Sequence, residues 1–324
     1  MDTVPLPLAQ SPLFDRLAHP SATQSRPIHA PRLLALWHLA SLDAPTVAVV
    51  WSLGFAWADA VHVAGSALLV LALAAWSAYV CDRLLDARLE ILSPAESDLR
   101  ERHFFHRRHR RLLAPLALTA AGVAAVLAVS LLPTMVREAG LILGAAALIY
   151  FLGVHAPRFV KGQRSLPKRL NKEMLVAVLF TAGCILAAWS RPNVSGALKS
   201  CGWCFWISAV YFAALAWLNC SSIARWESRA QTGNDSLKFE RLLSVGRASH
   251  GAKSYAAFLI AMVGLLLAFV TGSFRARAAA MLAAGAASAL LLALLDRMQA
   301  RMTPLALRIA ADLVLLTPLL LLIG

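Results

Sequence analysis

The amino-acid sequence predicts an all-α polytopic membrane protein, a bundle of about nine transmembrane helices. Of its 324 residues 59% are hydrophobic and 15% charged, where soluble domains carry about 25% charged residues. The apolar residues come in blocks, such as 63–81, each long enough for a hydrocarbon core that takes about 20 residues of helix. Basic residues fall between the blocks and favour one side. A soluble fold could bury one such helix, but not a series of them.

In chain order the predicted spans are 34–57, 62–81, 112–132, 139–155, 171–189, 203–223, 254–272, 276–295 and 304–323. Pro133, Pro192 and Pro304 stand at span edges, where a missing N–H costs little. Pro318 falls inside the last span, where neighbouring helices can satisfy the carbonyl it frees. Residues 1–32 hold Pro5, Pro7, Pro12 and Pro20 and no apolar core of a signal peptide. They are expected to form a disordered or surface-lying cytosolic tail. Residues 33–324 form the transmembrane domain, with cytosolic loops near 82–111 and 224–253.

With the N-terminus inside, 25 of the 31 Lys and Arg residues lie on the cytosolic side and five outside, with Arg308 within a span. Positive charge marks the inside, so the N-terminus is expected in the cytosol and the C-terminus outside, in a bacterial inner membrane. The same distribution accounts for the net charge of +14 without a nucleic-acid partner. Cys81, Cys184, Cys201, Cys204 and Cys220 lie in or beside spans, as buried free thiols do. Cys201-Gly-Trp-Cys204 has redox-pair spacing but opens an apolar run, outside a βαβ context.

Polar residues gather at the cytosolic ends. Asp82, Asp86 and Glu90 recur at four-residue spacing, so they share a helix face and repel. Arg83 is spaced to relieve Asp86. A divalent cation would also resolve the conflict, since Mg²⁺ takes one or two carboxylates plus substrate phosphates; a solvated helix end is the alternative. At the end of the sixth span Asn219 and Glu227 share a face with Ile223 between them. An amide in an apolar run needs a partner, so Asn219 is either a helix–helix hydrogen bond or a ligand. Arg158, Lys161, Arg164, Lys168, Arg169 and Lys172 surround the fourth and fifth spans, mostly as anchors, and Lys172-Glu173 could project into a cytosolic cavity. His103, His106 and His109 lie three apart, a spacing that drifts around a helix; with six other scattered histidines they are expected on a solvated basic helix touching anionic headgroups. Arg308 and Asp312, four apart in the last span, are expected to pair.

This layout resembles the UbiA-type intramembrane prenyltransferases, which have nine helices and two aspartate-rich motifs on the cytosolic ends of helices two and six. Ala78 to Asp86 keeps the Asp-x-x-x-Asp half of the first motif and lacks its leading Asn-Asp. Asn219 to Glu227 stands at the second, with Cys220 and Ile223 where aspartates are expected. Tyr150 to Pro157, then Arg158 and Lys161, is similar to the segment after helix four, and Lys172-Glu173 to that before helix five. The resemblance implies that Asp82 and Asp86 hold Mg²⁺ on an isoprenoid diphosphate. Glu227 with Asn219 would form a weaker second site. Tyr150, Arg158, Lys161 and Lys172 would bind substrate, and an unknown acceptor would receive the prenyl group. The lost acids keep a non-catalytic UbiA-like scaffold or lipid-binding protein as the alternative. A transporter would favour internal repeats, which are not evident, and a histidine-metal oxygenase would need clustered histidines.

Overall fold

The computed structural model describes residues 28–90, 101–159, 172–188, 202–232, 255–273 and 275–323. These are overwhelmingly helical. The helices are α1 (Arg32–Leu39), α2 (Asp43–Ala58), α3 (Gly65–Glu90), α4 (Glu101–Arg108), α5 (Arg110–Leu131), α6 (Thr134–Phe159), α7 (Lys172–Ala188) and α8 (Trp203–Thr232). They continue with α9 (Tyr255–Gly272), α10 (Ala276–Met298), α11 (Pro304–Leu313) and α12 (Leu319–Ile323). Among the described residues α3, α5, α6, α8, α9 and α10 contain stretches long and apolar enough to cross a membrane; the bent pair α1–α2 would make a seventh. The predicted span 171–189 corresponds to α7, of 17 residues. The predicted span 304–323 is broken into α11, a 3₁₀ turn at Val314–Leu316 and α12.

Two departures from the predicted spans shape the interior. The first is the span 34–57, which bends by 88° between α1 and α2. Ser41 takes a left-handed backbone at φ 61, a conformation that costs an L-residue about 1 kcal/mol or more. The bend leaves α1's last carbonyls short of helical partners; Ser41 N–H reaches His38 O at 3.0 Å, and side chains supply the rest. Trp76 Nε1 donates to Ala40 O at 3.0 Å and Arg83 Nη1 to His38 O at 2.7 Å. The second departure is length: α3 and α8 run on past the predicted span ends, so Asp82, Asp86 and Glu227 stand on continuous helix.

The break near Pro318 is also satisfied from neighbours. Proline cannot donate to Val314 O; Ser288 Oγ does so at 2.6 Å. Trp51 Nε1 donates to Leu315 O at 2.8 Å. The Trp51 ring stacks on Phe212 at 3.9 Å between centroids, with Phe55 against both, which places the core among α2, α8, α10 and the last turns. At the other end of the chain, Ile28 bonds to Arg301 O and Thr303 N–H, fastening the segment before α1 to the turn after α10.

Tyr211 on α8 passes between two glycines and donates to Ile260 O at 3.1 Å. A Cβ on Gly285 would lie 2.6 Å from its ring, and one on Gly264 would meet its hydroxyl end. Gly285→Ala is therefore expected to cost about 1–3 kcal/mol, the range for overpacking a tight core. The measurement is thermal unfolding of purified protein in detergent, with Gly65→Ala, where the added Cβ meets nothing, as the control. Equal melting temperatures for the two variants would refute the close packing.

Candidate functional site

The face of α3 that carries Asp82 and Asp86 is half-buried. Tyr150 on α6 comes within electrostatic reach of Asp82, Asp86, Glu173 and Cys220. Its hydroxyl is buried and has no hydrogen-bond partner among the described residues. The first turn of α7 supplies Lys172 and Glu173, both half-buried and both within electrostatic reach of Cys220 on α8. Three helices thus bring Asp82, Asp86, Tyr150 and Lys172 together, with Glu173, to which the sequence assigned no separate role. Arg158 lies on α6 with its side chain outside the described residues, as does the whole of Lys161. Two carboxylates a helical turn apart, a hydroxyl and a lysine thus share one half-buried region.

Arg83 does not serve Asp86 as its spacing suggested. It points to the other side of α3, buried at 2% exposure. There its Nη2 donates to Asp43 Oδ2 at 3.0 Å, its Nη1 reaches Ser41 Oγ at 3.2 Å, and its guanidinium lies 4.3 Å from the Tyr79 ring centre. The bend between α1 and α2 offers buried acceptors that outcompete a half-exposed carboxylate. This anchor sets the rotation of α3, and with it the direction of Asp82 and Asp86.

Asn219 and Glu227 share a face, and that face meets α11. Asn219 is buried, with Nδ2 at 3.4 Å from Asp312 Oδ1, and Glu227 forms an ion pair with Arg308. The expected pairing of Arg308 with Asp312 thus gives way to contacts across the helix interface. Two pairs of polar residues thus face each other across this interface. Asp296 binds the same helix lower down, accepting from Arg225 and Trp226 Nε1, both at 2.8 Å.

The histidines also differ from expectation. His106 is fully buried rather than solvated, with Nε2 at 3.1 Å from Ser41 Oγ. His109 bonds Phe105 O, and the His103 side chain lies outside the described residues. His38, which has no cluster mates in sequence, is buried with Nδ1 at 2.7 Å from Asp43 Oδ2 and 3.4 Å from Asp312 Oδ2. Sequence reasoning missed this group because its members come from three elements. The available signal was a histidine five residues before an aspartate at a helix start. No protein-family model matches the chain, and no curated protein or solved structure matches it, so the site is interpreted from its own residues.

Proposed function

We propose that the chain is a UbiA-like intramembrane transferase, a nine-span bundle that moves a prenyl group from an isoprenoid diphosphate to an acceptor with Mg²⁺. The observation that supports this is the convergence of Asp82, Asp86, Tyr150 and Lys172 from three helices, beside the half-buried acid Glu173. Asp82 and Asp86 would hold Mg²⁺, with Glu227 as a weaker further acid. The bound ion supplies positive charge that neutralises diphosphate as negative charge builds on it. Lys172 stands in the first turn of α7, where backbone N–H groups also favour an anion; it binds and orients the diphosphate oxygens. Tyr150 donates its hydroxyl to the same anion, satisfying a group that has no partner among the described residues. The carbon–oxygen bond to the diphosphate breaks with its electron pair, and the allylic carbon bonds to the acceptor, which releases a proton. Surrounding apolar helices exclude the water that would intercept the cation.

The test is thermal stabilisation of purified protein by isoprenoid diphosphates of several lengths, with and without Mg²⁺. A Mg²⁺-dependent shift is expected. If none appears with any of them, the second reading prevails, a non-catalytic scaffold or lipid-binding protein. One observation favours it: Asn219 and Glu227 are already engaged by Asp312 and Arg308.

The proposal places Asp82 and Asp86 on the cytosolic side of a bacterial inner membrane. Reporter fusions at Ser97 and Asp235 should both report cytosol and a fusion after Gly324 the opposite side. Opposite labelling of Ser97 and Asp235 would rule out the nine-span arrangement.

A further inference from the structure

The buried group formed by His38, Asp43 and Asp312 plays no part in that chemistry. One donor atom from each lies within 4.8 Å of the others, and the residues are 2%, 1% and 8% exposed. Burying two carboxylates costs several kcal/mol per ion unless they are well paired, so the arrangement needs an explanation. Arg83 supplies one positive charge, to Asp43. A protonated His38 would balance the second carboxylate; with a neutral imidazole one negative charge remains, which a divalent cation would offset.

The short distances around His38 are ion-pair contacts with two carboxylates, and their geometry is oblique. Asp43 Oδ2 lies 2.7 Å from Nδ1, yet neither ring nitrogen has a partner among the described residues that meets hydrogen-bond geometry. The carboxylate oxygen therefore flanks the nitrogen away from the line on which an N–H would point. Asp312 Oδ2 lies 3.4 Å from the same nitrogen and has no hydrogen-bond partner among the described residues. A protonated imidazole would carry two N–H groups with no acceptor in line for either. An ion on the nitrogen's axis has the opposite requirement: its other ligands must stand off that axis.

The remaining atoms are held as outer partners hold metal ligands. Asp43 Oδ1 accepts from Ala44 N–H at 3.0 Å and its Oδ2 from Arg83. Asn219 Nδ2 steers Asp312 through Oδ1 at 3.4 Å, leaving Oδ2 toward His38. We propose that His38, Asp43 and Asp312 form a buried site for a divalent first-row transition metal that clasps the bent α1–α2 pair to α11. The imidazole selects this class over Mg²⁺, which prefers oxygen and water. The site is independent of the transferase proposal and uses none of its acids.

The test is metal content of the full chain purified in detergent, after chelation and titration with Zn²⁺, Mn²⁺, Fe²⁺ and Co²⁺ separately. One ion per chain is expected for at least one of them, with a rise in melting temperature on binding. His38→Gln and Asp312→Asn should each abolish binding and the thermal shift. Asn219→Ala should weaken affinity about tenfold to a hundredfold, as loss of an outer partner does. Asp82→Asn should retain the ion, which separates this site from the one proposed for Mg²⁺. Should both ligand variants fail to fold, the wild-type titration decides alone. Folded wild type that binds none of the four ions, or variants that bind as wild type does, would overturn the proposal.

Discussion

Asp82→Asn and Asp86→Asn are each expected to slow prenyl transfer about a hundredfold or more, while leaving the apoprotein as stable as before or slightly more so. An amide keeps the shape of the carboxylate and removes the charge a hard dication requires. A lost contact worth about 3 kcal/mol in the transition state corresponds to that factor. Stability moves the other way, because removing one of two like charges a turn apart relieves repulsion. Glu227→Gln gives a different signature. Glu227 is engaged by Arg308, so its loss leaves a largely buried guanidinium without its acid, and stability should fall more than activity. The measurements are rate with labelled isoprenoid diphosphate and melting temperature without Mg²⁺. If Asp82→Asn and Asp86→Asn keep wild-type rates in a protein shown to be active, these acids are not its metal ligands.

Much of the helical layout was legible because membrane spans are written in composition: a block of apolar residues needs no partner elsewhere in the chain to announce itself. What composition hides is a bend. Residues 34–57 are mostly apolar, yet Asp43 and Pro45 fall in the first turn of α2, and a proline there is a helix-start signal. Heeding it would have split the span. The acidic face of α3 was legible for a similar reason, since spacing within one helix fixes who shares a face. The partners of that face were not, because Tyr150 and Lys172 arrive from helices whose rotation the sequence leaves open. Arg83 shows the limit most clearly. Its spacing nominated Asp86, but a buried acid and a helix-end carbonyl 40 or more residues away bind a guanidinium more strongly than a half-exposed carboxylate on the same helix. His106 was misjudged likewise: its arginine neighbours describe one face of α4, and it belongs to the other.

Arg83→Met is expected to be among the most destabilising single substitutions in the chain, by about 3–5 kcal/mol, the cost of removing one partner from a buried ion pair. Methionine restores much of the lost volume, so the effect isolates charge and hydrogen bonding from packing. Three groups lose a partner at once. Asp43 Oδ2 loses its guanidinium, His38 O keeps only the Ser41 N–H, and Ser41 loses one of two side-chain contacts that hold its left-handed backbone. Asp43→Asn alone should also destabilise, by leaving Arg83 charged and buried. The double variant separates these terms. With neither charge present, it should be less destabilised than the sum of the single variants by about 0.5–3 kcal/mol, the coupling of residues in one network. Melting in detergent with chelator present keeps any metal at His38 out of the comparison. Strict additivity would show that Arg83 and Asp43 do not act as a pair. An Arg83→Met protein within about 0.5 kcal/mol of wild type, the range of ordinary surface substitutions, would show that Arg83 is not anchored in the bend, and that something other than this contact sets the rotation of α3.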